Sequence, residues 1–296
     1  LRGAAEYRLP GGGHAVTVAE ETARVRKTLS AIDAQDEARL MMQTALNCSA
    51  EALLLRRQEQ LTEREAAALD ALLQERLTGR PLQYILGSWD FMGLPFEVRE
   101  GVLIPRADTE TLAEQALGLA KERGYGSCLD LCTGSGCLAV SLAALGNLAV
   151  TAADISPAAL RIAAENVRKN NVSTLVTIVG SDMFRQIDGA FDMIVSNPPY
   201  IPTGDIPTLM REVREHEPVE ALDGGEDGLD FYRILAAESP AHLTKSGALL
   251  VEVGIGQAQE VAELFSQNGF DRPAVYKDLS GIERVVCALW QGGREG

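Results

Sequence analysis

Positive charge and histidine are scarce in this sequence. Lys and Arg number 27 against 42 Asp and Glu, a formal net charge of −15, and there are three His. Phosphate contacts need clustered cations, so the charge opposes a surface that binds nucleic acid over its whole extent and leaves room only for a local basic patch. No apolar run is long enough to span a bilayer. Zinc-type spacing is missing too: of five cysteines, Cys128, Cys132 and Cys137 lie close together but without His beside them, and their spacing is not that of a metal site. With Cys48 and Cys287 they read as small apolar fillers, which implies a reducing, cytoplasmic setting and no metal. Residues 1–16 carry three consecutive glycines and lack the apolar core of a signal peptide. A flexible N-terminal extension is expected there.

What is present is a soluble composition, 46% apolar and 23% charged over 296 residues, enough for one large or two ordinary domains. Residues 17–80 read as helices. Val18, Thr22, Val25, Leu29 and Ile32 mark one helix face; Leu40, Met41, Ala45 and Leu46 suggest a second helix. Ser49 caps a third, and Thr62 with Glu65 has the capping-box spacing before Leu69, Leu72, Leu73 and Leu77. Between 81 and 105, Tyr84, Ile85, Trp89, Phe91, Phe96 and Val98 alternate with glycines, which predicts a β-hairpin linking two domains.

Residues 106–296 then alternate strand and helix patterns, predicting an α/β fold with a doubly wound, mainly parallel sheet closed by an antiparallel pair. Residues 202–230 form a polar insert too long for a plain connection, hence a candidate lid or substrate loop. In the strand order 3-2-1-4-5, the loops after strands one and four face one crevice, where such sheets bind ligands. The first is Asp130-Leu131-Cys132-Thr133-Gly134-Ser135-Gly136; the second is Asn197-Pro198-Pro199-Tyr200, where two prolines end the ladder. Asp154, closing the next strand, suits a ribose. The glycine spacing also satisfies a dinucleotide fingerprint. Asp130 argues against a pyrophosphate beside it and for a cationic ligand such as S-adenosylmethionine. Arg106 reads equally as a solvated charge or a partner for a ligand anion. Asp182 reads as a ligand contact or a cap, and His216 as a base or a loop-ordering residue.

The glycine loop, the acidic residues after strands two and three, and NPPY resemble class I S-adenosylmethionine-dependent N-methyltransferases, whose fold is Rossmann-like with seven strands. Longer runs are more specific: RPLQYILG at 80–87, FEV at 96–98, VLIPRADTE at 102–110, GGEDGL at 224–229, and EVG at 252–254. These resemble the release-factor glutamine methyltransferases (the PrmC/HemK family) over residues 18–289. The resemblance implies methylation of the glutamine of the Gly-Gly-Gln motif of class 1 peptide chain release factors, with a substrate-binding helical domain in front, and no direct nucleic acid or membrane partner. It implies Asn197, Pro198 and Tyr200 as catalytic and, with Pro199, substrate-binding. It also implies Arg106, Asp130, Cys132, Thr133, Gly134, Ser135, Gly136, Asp154, Ile155, Asp182, Met183 and Asn197 around S-adenosyl-L-methionine, the product being S-adenosyl-L-homocysteine. Cys132 stands where the family usually has Gly, and Met183 where an aromatic is common. An N-methyltransferase of nucleic-acid bases and a dinucleotide-dependent oxidoreductase are the alternatives.

Overall fold

The computed structural model describes residues 16–292; the expected N-terminal extension lies almost wholly outside them. Contacts divide the chain into two units, Leu1–Leu86 and Gly87–Gly296.

In the first unit, helix α1 (Val18–Leu29) opens on a reciprocal capping box between Thr17 and Glu20. Val18, Val25 and Leu29 are buried as the periodicity predicts, but Ile32 falls in a 3₁₀ turn beyond the helix and is exposed. Helix α2 (Ala38–Ala45) buries Met41 and Met42. Helix α3 (Ala50–Leu55), capped by Ser49, buries Leu53 and leaves Leu54 and Leu55 in solvent. Helix α4 (Glu63–Leu77) repeats the capping box with Thr62 and Glu65 and buries Leu69 and Leu73. Its buried Arg76 takes the Glu37 carboxylate at 2.6 Å, which satisfies a guanidinium that burial would otherwise penalise. The expectation of extended backbone from residue 81 fails at its start, because Leu82–Leu86 is a helix, α5. The Pro81 carbonyl accepts the N–H groups of Tyr84 and Ile85, a local turn that overrides their strand preference.

The second unit begins with the hairpin β1 (Ser88–Phe91) and β2 (Leu94–Glu97). It is less a free connector than an appendage of its own unit. Buried Asn166 accepts the Glu97 N–H at 2.6 Å and donates to the Glu97 carbonyl at 3.1 Å. The remaining elements are α6 (Ala107–Arg123), β3 (Ser127–Leu131), α7 (Cys137–Gly146), β4 (Ala149–Asp154), α8 (Pro157–Lys169), which carries Asn166, β5 (Val176–Gly180), β6 (Phe191–Ser196), α9 (Arg211–His216), α10 (Asp230–Glu238), β7 (Leu243–Glu252), α11 (Ala258–Gln267), β8 (Asp271–Lys277) and β9 (Glu283–Leu289).

The main sheet runs β5-β4-β3-β6-β7-β9-β8, parallel through the first five and antiparallel in the last two pairs. The predicted order therefore stands, extended by the closing pair. β3 and β6 are hydrogen-bonded neighbours with Leu131 opposite Ser196. That register brings the loops following the two strands to the same level of the sheet, at the point where strand order reverses. Leu129, Ile194, Leu249, Tyr232 and Phe265 are buried together with their neighbours in one core, each fully buried aliphatic or aromatic side chain contributing about 1.5–3 kcal/mol. The core is the fixed platform under both loops.

Candidate active site

The loop after β3 is held from below by a carboxylate. Asp130 is completely buried; its Oδ2 accepts the Thr133 hydroxyl at 2.5 Å and the Ala139 N–H at 3.1 Å, while Oδ1 has no partner. Burial pushes its carboxyl up to about 7. Thr133 N–H donates to the Ala153 carbonyl and Gly136 N–H to the Thr133 carbonyl, so the loop is tied to β4 and to itself. Buried Asn166 donates to the Ser135 carbonyl at 2.8 Å. At Gly134 (φ +54°) a Cβ would meet no atom within 4 Å. The backbone there faces open space. A buried carboxyl with one unpartnered oxygen next to an open, glycine-bearing loop fits the cationic amino-acid end of a ligand, and does not fit a pyrophosphate.

Asp154, at the end of β4, accepts the Gly134 N–H (2.9 Å) through one oxygen and the Ser156 N–H (2.8 Å) through the other. Desolvation raises its pKa despite these bonds. Each oxygen keeps a lone pair for a ribose hydroxyl. Ile155 beside it is 66% exposed, an apolar lip to the cleft. Cys132 and Met183 are both in the left-handed region (φ +59° and +49°), and their sulfurs lie 3.9 Å apart. The two residues that depart from the family pattern thus touch each other. Ser181 holds the Met183 loop, its hydroxyl donating to the Met183 carbonyl at 2.6 Å. Asp182 caps no helix; its carboxylate pairs with Arg185 at 2.8 Å.

The turn after β6 is clamped from several sides. Pro198 and Pro199 are buried, and Asn197 and Tyr200 half-buried. The Asn197 Nδ2 donates to the Thr109 hydroxyl oxygen at 3.1 Å. The Tyr200 hydroxyl donates to Glu252 Oε1 at 3.4 Å, and its carbonyl accepts from Gln257 at 3.0 Å. Gly224 packs so closely that a Cβ there would stand 2.7 Å from Tyr200 Cα and 2.9 Å from the Pro199 oxygen. No larger residue fits without moving the turn. Glu252 is 1% exposed, with Oε2 unpartnered and its carboxyl pushed up to about 7 by burial.

The insert at 202–230 is ordered, with short helical turns and α9. Buried Glu217 within it accepts the Ile104 N–H and pairs with Arg106. Arg106 accordingly has a protein carboxylate for a partner through one guanidinium nitrogen. His216 faces Glu100 at 3.9 Å, which suits ordering of the insert. Thr109, Asn166, Glu252 and Gln257 hydrogen-bond to the two loops, and Glu217 to Ile104 and Arg106, although their residue types and spacing assigned none of them a site role. For Glu252 a signal existed: one carboxylate in the apolar run ALLVEV is a buried charge in need of partners. Among the described residues no group of His, Cys, Asp or Glu could hold a metal ion, and no helix is long and apolar enough to cross a membrane.

Comparison with known proteins identifies relatives of both units. Residues 110–214 match the family model described as methyltransferase small domain, and residues 22–87 the PrmC N-terminal domain. A release factor glutamine methyltransferase of Geobacter sulfurreducens is 43% identical over 266 residues, covering 89% of this chain and 90% of that protein. One from Agrobacterium fabrum is 38% identical over 288 residues, covering 94% and 99%. Among solved structures, a methyltransferase from Pyrococcus furiosus shares the fold, with a TM-score of 0.50 at 19% identity over 68% of this chain and 91% of that one. Identity at this level along nearly the full length of both relatives, in both units, establishes that the chain belongs to the release factor glutamine methyltransferase family.

Proposed function

We propose that this enzyme transfers the methyl group of S-adenosyl-L-methionine to the side-chain amide nitrogen of the glutamine in the Gly-Gly-Gln motif of class 1 peptide chain release factors, with S-adenosyl-L-homocysteine as the other product. The observation that carries the reading is the register of β3 with β6. It sets an uncharged amide, Asn197, beside an open glycine loop over a buried carboxylate.

Residues 133–136 hold the methionine end, Asp154 the ribose, and Ile155, Asp182 and Met183 the adenine, with Cys132 packed against Met183. Asp130 supplies negative potential under the cationic end. Arg106, paired with Glu217 through one nitrogen, keeps donors for the methionyl carboxylate. The cofactor, when bound, supplies a methyl group on a sulfonium, a good leaving group.

A glutamine amide nitrogen is a poor nucleophile because its lone pair is delocalised into the carbonyl. Asn197 gives one of its two N–H groups to Thr109, and its Oδ1 accepts one hydrogen of the substrate amide. The Pro198 carbonyl accepts the other, and Tyr200 packs against the planar group with Pro199 stiffening the turn. Two acceptors on two hydrogens fix the amide and direct its lone pair at the methyl, so catalysis is chiefly positioning. No strong base is needed, since the proton leaves after the nitrogen has been alkylated and become acidic. The N-terminal helical unit binds the body of the release factor. The reaction takes place in the cytoplasm, where the five free thiols stay reduced.

The test is mass spectrometry of a release factor incubated with enzyme and labelled cofactor. A labelled methyl on the Gly-Gly-Gln peptide, absent with Asn197→Ala, is expected. Wild-type enzyme that binds the cofactor yet leaves that glutamine unmodified overturns the reading.

A further inference from the structure

We infer that Gln257 is a positioning residue for the transfer: its side-chain amide fixes the turn that receives the substrate glutamine and ties that turn to residues 222–228 of the insert. The consequence for rate rests on the methyl-transfer reading above, whereas the fixing itself rests on hydrogen-bond geometry.

Gln257 immediately precedes α11, at the position where Ser, Thr, Asp or Asn ordinarily caps a helix. Its side chain makes no cap. The amide serves other partners instead. Oε1 accepts the Gly254 N–H at 2.9 Å, and Nε2 donates to the carbonyls of Tyr200 at 3.0 Å and Gly228 at 3.4 Å. All three partners are backbone groups of fixed polarity, one N–H and two carbonyls, so a single orientation of the amide satisfies them. One side chain thus joins the turn after β6, the insert and the stretch after β7.

Glycines leave room for this joint. A Cβ at Gly228 would stand 2.4 Å from the Tyr200 oxygen and 2.8 Å from Gln257 Nε2. A Cβ at Gly254 would stand 2.6 Å from Gln257 Oε1 and 3.0 Å from Tyr200 Cδ2. Residues 252–257 therefore locate the carbonyl and the ring of Tyr200 together, since Glu252 also accepts its hydroxyl. From the other side the insert pairs with the same stretch. Ile201 N–H donates to the Leu222 carbonyl at 2.9 Å, Gly224 N–H to the Ile201 carbonyl at 2.8 Å, and Thr203 N–H to the Gly225 carbonyl at 2.8 Å. This part of the insert is a wall behind the turn, not a lid over it.

Two prolines fix φ within the turn, so its remaining freedom lies in ψ. Ser196 holds the near end, its hydroxyl donating to the Leu131 carbonyl at 2.8 Å. Gln257 holds the far end. The Pro198 carbonyl lies between the two anchors, and the Tyr200 ring sits on the second.

The experiment uses the full chain with carbon-13 at tyrosine carbonyls and nitrogen-15 at isoleucine. Tyr is followed by Ile at 84–85 and at 200–201, so two carbonyl signals are read. Tyr200→Phe identifies the Tyr200 signal by its loss, and the Tyr84 signal is the control. Gln257→Met removes both polar atoms at nearly constant volume. Gln257→Glu keeps an acceptor for Gly254 and takes away the donor to Tyr200. In both variants the Tyr200 carbonyl signal should shift while that of Tyr84 stays. With a release factor as substrate, kcat should fall by about 10- to 100-fold while the S-adenosylmethionine Kd stays within about twofold. Gly254→Ala, which drives Gln257 Oε1 away with the amide intact, should reproduce both effects, and it carries the test if the Gln257 variants do not fold. An unmoved Tyr200 signal in a folded Gln257 variant overturns the inference, as does an unchanged kcat or a rate loss matched by an equal loss of cofactor affinity. If wild-type enzyme methylates no release factor, the functional reading falls, and the Tyr200 signal still decides the positioning.

Discussion

Asp130 and Glu252 are the same device built twice, on the strands either side of β6. Both are fully buried carboxylates near a strand's carboxyl end, both have one oxygen without a partner, and burial pushes both up to about 7. Their partners differ. Asp130 is bound by Thr133 and Ala139, three and nine residues further along, in the loop and helix that its own strand feeds. Glu252 is bound by Tyr200, 52 residues away, in the turn that follows the neighbouring strand. The first carboxylate shapes a loop and charges the space above it. The second ties the turn after β6 to the adjacent strand, a link that only the fold makes. Burial sets the proton affinity in both cases, and the origin of the donors sets the task.

The largest break falls between the two. Asn197→Ala should lower kcat by more than about 100-fold with cofactor binding retained, as measured by rate assays beside calorimetry, because it removes an acceptor from the reacting amide and nothing from the β3 loop. Next comes Asp130→Asn, which keeps the shape but removes the charge. It should weaken S-adenosylmethionine binding by about tenfold by calorimetry, whereas Glu252→Leu leaves that affinity near wild type.

A pH series sharpens the same contrast. A cation over the loop favours ionised Asp130, so its binding expels a proton from a group that titrates near 7. Affinity should therefore rise from about pH 5 to about pH 7, above which the cofactor's own α-amino group begins to lose its proton at roughly 7.7–8.0. The rise should vanish in Asp130→Asn and persist in Glu252→Leu. The smallest effect is expected at Cys132→Gly. Release from the left-handed backbone is offset by the unfolded-state entropy of Gly and the lost contact with Met183, so thermal unfolding should move by less than about 1 kcal/mol.

Much of the sheet was legible because its signals are local. The β6 strand at residues 191–196, the Ser156 cap before Pro157, and the two capping boxes all follow from short-range rules. Where reading failed, a local hydrogen bond competed with propensity: Tyr84 and Ile85 entered a helix through the Pro81 carbonyl. Ile32 failed for a related reason, the helix tightening into a 3₁₀ turn before the apolar stripe was complete. The candidate site split along the same line. The glycine loop, Asp154 and NPPY announce themselves by residue type at strand ends. Arg106 did not announce its partner, since Glu217 lies 111 residues away.

By itself the sequence determined the alternation of strands and helices, the two loops at the switch point, and the family, because each is written in contiguous residues or their spacing. Only the tertiary structure decided that Cys132 meets Met183, that Glu217 takes Arg106, that Asn197 meets Thr109, and that Glu252 takes the Tyr200 hydroxyl. Those are pairings across long loops. Their hydrogen-bond partners are chosen by burial, which leaves each polar group only the donors and acceptors that packing brings within about 3 Å.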